Sequence, residues 1–137
     1  MSASLTIDAD EQEISKAVAF AEEYIASLHL SHDLFCSFAA AIDEVLANTI
    51  AYAFKDKNKH QIKISLKAEN KTVTVVVEDD GDEFNPLLFP VPCIDEPLCE
   101  RAIGGLGIHI LKNIMDSVAY ERKDNKNILT LTKVDDK

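Results

Sequence analysis

The sequence predicts an α+β fold: a two-layer sandwich, with helices on one face of a mainly antiparallel mixed sheet. Two observations carry this. Helix-period stretches fill the first part of the chain, and alternating strand-like stretches cluster after them, the order expected when helices and strands segregate into layers. The 137 residues match one domain with its own core, so residues 1–137 are expected to form a single unit.

The elements follow in order. Leu5 and Ile7 share one face of a short first strand, and Asp8 or Asp10 is placed to cap the helix that follows. Ile14, Val18, Ile25 and Leu28 recur at helical spacing from about residue 10 to 28. A second helix is predicted over 32–54, its stripe made by Phe35, Phe38, Ile42, Val45, Leu46, Thr49 and Ala53. KDKNK then breaks the pattern as a solvated loop. QIKISLKA alternates strictly, Glu69, Asn70 and Lys71 turn the chain, and TVTVVVED returns, which reads as a β-hairpin. All four prolines fall between Pro86 and Pro97, so residues 87–103 are expected to be loop, long enough to suggest a functional one. GGLG opens an apolar helix through Met115. Val118 and Tyr120 indicate a strand, and NILTLTKV the last one.

Composition limits the partners. The net charge is −10, from 24 acidic and 14 basic residues. Direct nucleic-acid binding, which needs a Lys/Arg surface, is not expected. One nucleotide can still be held by backbone N–H groups and a divalent cation, and a basic protein would suit the surface. No stretch reads as a membrane span, and the first residues lack the basic start and long apolar stretch of a signal peptide. A cytoplasmic protein with no membrane partner is expected. Cys36, Cys93 and Cys99 are odd in number and form no CxxC unit, so reduced thiols are expected.

Three constellations carry chemistry. In AIDEVLANTIAYAF, Glu44 and Asn48 are four apart on one helix face, beside Ala40, Ala41 and Ala47. Asn48 offers a carbonyl oxygen to Mg²⁺, and Glu44 can take a proton from a hydroxyl or water. A solvated helix flank would look the same. In VEDDGDEFNP, Asp79 ends a strand where it could accept from an exocyclic amine, and Gly81 permits a sharp turn. An acidic turn would also account for it. In GGLGIHILKNIMD, Gly104, Gly105 and Gly107 precede a helix, whose N-terminus can bind phosphate. No GK[ST] follows, so this is no Walker A motif.

In this order the three segments resemble the N box and the two glycine boxes of the GHKL ATPases, the superfamily of gyrase, Hsp90, histidine kinases and MutL. The resemblance covers about residues 40–133. FNP after the first glycine box, ERAIGGLGIHIL at the end of the acidic loop and the closing NILTLTK are similar to the anti-sigma factor serine kinases of bacteria. It implies the GHKL (Bergerat) ATP-binding fold, with ATP and Mg²⁺ as cofactors. Glu44 would be the general base, Asn48 the Mg²⁺ ligand and Asp79 the adenine contact. Gly81 would shape the adenine pocket, Gly105 and Gly107 would face the phosphates from a lid, Arg101 would reach the γ-phosphate, and Thr130 would support the adenine site. Tyr52 stands where members of this branch often carry His, and Glu83 where they carry Gly or Pro. The implied partners are an anti-anti-sigma protein, phosphorylated on a serine, and a sigma factor held in its place afterwards; a homodimer is compatible. The alternative is a non-catalytic module, gated by ATP or ADP, that sequesters a regulatory partner.

Overall fold

A computed structural model describes residues 2–54, 60–85 and 113–135. Five strands form one sheet: β1 (Ser2–Asp8), β2 (Gln61–Glu69), β3 (Thr72–Asp79), β4 (Ser117–Lys123) and β5 (Lys126–Val134). Their spatial order is β1-β2-β3-β5-β4, and all four pairings are antiparallel. The predicted two-layer α+β arrangement is thus present, with no parallel pair among the described strands. Two helices, α1 (Ile14–Ser27) and α2 (His32–Tyr52), join the alternating apolar face of the sheet in one core.

The core follows from the two periodicities. Ile62, Ile64 and Leu66 of β2, Val73, Val75 and Val77 of β3, and Leu129 and Leu131 of β5 are buried on the same face. Against them pack Ala17, Ala21 and Ile25 of α1, and Leu34, Phe38, Ile42, Val45 and Leu46 of α2. Part of α2, His32–Ala51, is long and apolar enough by composition to cross a membrane. Its buried stripe instead makes it the central helix of this core.

Local signals set the ends. Asp10 accepts from the Gln12 N–H and starts the 3₁₀ turn that leads into α1. α1 ends in a Schellman pattern: the N–H of His29 bonds the Ala26 carbonyl, and that of Leu30 the Ile25 carbonyl. His29 takes φ 57°, a position usually given to glycine. Ser31 caps α2 by accepting from the Leu34 N–H, and its own N–H and hydroxyl donate to the Asp135 carboxylate. The last strand is thereby tied to the start of the central helix. Two-residue turns with positive φ, Asn70-Lys71 and Asp124-Asn125, close the two hairpins, matching the twist of the strands they join. The expected loop over 87–103 lies outside the described residues, as does most of the expected helix after GGLG; residues 113 and 114 are helical.

Candidate functional site

Two groups of polar side chains interrupt the apolar interior. The first is on α2. Four-residue spacing stacks Glu44 and Asn48, and the Asn48 amide donates through Nδ2 to Glu44 Oε1 at 3.3 Å. Asn48 is buried and Glu44 half-buried. Because the carboxylate can only accept, it fixes the amide with its oxygen turned away from Glu44. Burial pushes the Glu44 carboxyl above its ordinary value; the Asn48 hydrogen bond works against that shift and the Asp43 charge adds to it. The pair therefore offers a carboxylate of raised basicity beside an amide oxygen suited to a hard cation. Among the described residues no cluster of three or more His, Cys, Asp or Glu side chains could hold a metal by itself.

The second group is at the end of β3. Asp79 is 5% exposed, and among the described residues no Lys or Arg forms a salt bridge with its carboxylate. Oδ1 accepts from the Gly81 N–H at 2.8 Å and from Asn127 Nδ2 at 3.0 Å. Among the described residues no donor meets Oδ2, so both hydrogen bonds anchor the same oxygen, Oδ1. Burial raises the Asp79 carboxyl; the Asn127 and Gly81 bonds oppose the shift, Asp80 adds to it and Arg122 opposes it.

Gly81 brings the turn after β3 against the end of α2. A Cβ there would lie 2.6 Å from the Ala53 carbonyl oxygen at the end of α2. The next N–H, of Asp82, bonds that same oxygen at 2.7 Å. No glycine among the described residues has positive φ. Close approach of the turn to α2, rather than a left-handed backbone, is what this position requires.

Of the residues singled out in the sequence, Glu44 and Asn48 are in contact on α2, and Asp79 and Gly81 are in contact at the end of β3. Thr130 is not brought to them. Asp79 pairs with Asn127, and Thr130 pairs with Val76 on the opposite face of the sheet. Asn127 occupies the place expected of Thr130, and the sequence held a signal for it. In NILTL, Asn127 is a polar residue in register with the buried Leu129 and Leu131. Arg101, Gly105, Gly107, Cys93 and Cys99 lie outside the described residues, and Cys36 is an exposed free thiol.

Known proteins resemble this chain in sequence and in fold. The family model described as "Histidine kinase-like ATPase domain" matches residues 7–133. The chain is 29% identical over 90 residues to the serine/threonine-protein kinase BtrW of Bordetella bronchiseptica, covering 66% of this chain and 63% of that protein. It is 23% identical over 113 residues to the anti-sigma F factor of Clostridium novyi, covering 80% and 77%. It is 29% identical over 89 residues to the serine-protein kinase RsbW of Bacillus velezensis, covering 59% and 53%. The chain thus spans less than two thirds of BtrW and about half of RsbW. A solved structure of the RsbU and RsbW domains of a Mycobacterium tuberculosis protein superposes with a TM-score of 0.68. It is 17% identical and covers 98% of this chain and 32% of that one, a likeness of fold.

Proposed function

Because the chain belongs to the histidine kinase-like ATPase domain family, with relatives that are anti-sigma factors and serine kinases, we propose that it is an ATP-dependent protein serine kinase. It acts as an anti-sigma factor in a partner-switching system and phosphorylates a serine of an anti-anti-sigma protein. The observation that carries this reading is the Glu44–Asn48 pair on α2 together with the half-anchored carboxylate of Asp79, beside the turn that meets the end of that helix at Ala53. A module that only binds nucleotide has no use for a partly desolvated carboxylate beside a cation ligand.

Asp79 Oδ2 accepts from the exocyclic amine of adenine. Guanine presents a carbonyl oxygen there, and a buried carboxylate facing an acceptor is unpaired and costly. The fixed amide oxygen of Asn48 fits Mg²⁺, which would join it to the nucleotide phosphates and offset their charge when bound. Glu44 orients the acceptor serine hydroxyl and takes its proton as the oxygen attacks the γ-phosphorus and the bond to the bridging oxygen breaks, releasing ADP. Its raised basicity suits that task.

The test is incubation with γ-labelled ATP, Mg²⁺ and a candidate anti-anti-sigma protein. Label on a serine of the partner is expected. A partner that binds in a nucleotide-dependent way without gaining label would replace the kinase with the gated binding module.

A further inference from the structure

Asn127 has every hydrogen-bonding site of its amide in use. Nδ2 donates to Asp79 Oδ1 and to the Asp82 carbonyl, at 3.0 and 2.8 Å. Oδ1 accepts from the Tyr120 hydroxyl at 2.6 Å, from Arg122 Nη1 at 3.1 Å and from the Phe84 N–H at 3.1 Å. Arg122 Nη1 also donates to the Gly81 carbonyl at 2.8 Å, so one guanidinium holds both the turn and the amide. Tyr120 and Arg122 come from β4, the edge strand one place beyond β5.

We propose that Tyr120 and Arg122 are specificity-determining positioning residues, which act through Asn127 to make Asp79 read adenine rather than guanine. The inference rests on the proposed adenine contact of Asp79 and extends it to the sheet edge. An amide can present either its NH₂ or its oxygen to a neighbour. Three donors converge on one side of Asn127, and that fixes the oxygen there and the NH₂ toward Asp79. With the NH₂ on Oδ1, the hydrogen bond favours the ionised carboxylate and leaves Oδ2 as an acceptor, the polarity that matches an exocyclic amine. With the amide reversed, two oxygens would face each other. Asp79 would then hold a proton to bridge them, or turn its carboxyl, and its outward oxygen would no longer be a fixed acceptor. The site would lose its preference for an amine over a carbonyl. Neither Tyr120 nor Arg122 needs to touch the base.

The experiment measures ATP and GTP affinity by calorimetry, with Mg²⁺, for wild type and for Tyr120→Phe/Arg122→Met. The variant leaves the Phe84 N–H as the one described donor to Asn127 Oδ1. Wild type is expected to prefer ATP, and the double variant to lose about tenfold or more of that preference, the scale of one charge-assisted hydrogen bond. Tyr120→Phe, which removes one hydroxyl and little else, should show a smaller loss in the same direction and keeps the test decisive if the double variant does not fold. Tyr120→Phe/Arg122→Lys, which retains a charged donor, should recover part of the preference lost by Tyr120→Phe/Arg122→Met. A general loosening of the fold would weaken both nucleotides together and leave their ratio unchanged. A preference for ATP that persists unaltered in folded Tyr120→Phe and Tyr120→Phe/Arg122→Met protein would overturn the positioning role while leaving the adenine contact standing. Equal affinity of wild type for ATP and GTP would remove the adenine contact itself, and this inference with it.

Discussion

Asp79 and Glu44 are both carboxylates that burial raises above their ordinary pKa, yet they are held in different ways. Asp79 is anchored by a backbone N–H and by an amide whose own bonds are all made. Glu44 is half-exposed on a helix flank, and among the described residues it accepts one hydrogen bond of 3.3 Å, from Asn48. The difference fits two kinds of work. Discrimination between bases needs an acceptor that cannot turn to suit the wrong one, so the cost of fixing it is met during folding. A base that takes a proton from a protein substrate must meet groups that arrive later, so it is left with room to adjust.

The largest expected effect is at Glu44. Glu44→Ala should lower phosphotransfer by about 10²–10⁴ and leave ATP affinity nearly unchanged, because general-base assistance acts on the transition state. The pH profile sharpens this. Glu44 must be ionised to act, so the wild-type rate should climb as pH rises through its raised pKa, and the residual rate of Glu44→Ala should lack that limb. Phosphotransfer by Glu44→Ala at the wild-type rate would leave Glu44 no part in the chemistry.

Asp79→Asn should act the other way, on binding first. The variant keeps an oxygen for the Gly81 and Asn127 donors but turns an NH₂ toward the base, and ATP affinity should fall at least about tenfold. Stability without nucleotide should move in the opposite direction. The folded protein binds the Asp79 proton more tightly than the unfolded chain does, so stability falls as pH rises from the ordinary carboxylate value through the raised one. Asp79→Asn removes that loss. It should melt at a higher temperature than wild type at neutral pH, with the gap closing in acid, where the wild-type carboxyl is protonated in both states. A variant less stable than wild type at neutral pH would mean that the carboxylate charge is needed for folding.

Much of this was legible before any coordinates. The spacing of Glu44 and Asn48 fixes their contact on any helix, and strict alternation gives the inward faces of β2 and β3. Asp79 reads correctly as a strand end because Gly81 and the polar run after it interrupt the alternation. Thr130 comes from the resemblance alone; alternation with the buried Leu129 and Leu131 sets it on the opposite face of β5 and leaves Asn127 on the face of Asp79. Which β5 residue faces Asp79 is set by the antiparallel pairing of β3 with β5, strands that β4 separates along the chain, so no short turn encodes it. The contact of Gly81 with Ala53 joins residues 28 positions apart along the chain by number, and no local signal encodes it.

That contact is where the two regions can be pried apart with the least chemical change. Gly81→Ala adds one methyl group, which would meet the Ala53 carbonyl oxygen at 2.6 Å and Asp79 Oδ1 at 3.0 Å. The oxygen belongs to the backbone at the end of α2 and also accepts from the Asp82 N–H, so it has little freedom to withdraw. Relief must come from moving the turn. Overpacking of this kind typically costs about 1–3 kcal/mol, seen as a lower melting temperature. Its effect on function is the smallest of the three, because neither carboxylate is removed. The displaced turn carries the Gly81 N–H that holds Asp79, so ATP affinity should weaken less than in Asp79→Asn, and the Glu44 limb of the pH profile should stay where it is. A shift of that limb in Gly81→Ala would show that the two carboxylates are mechanically coupled through the α2 terminus, and the contrast between a fixed and an adjustable carboxylate would no longer hold.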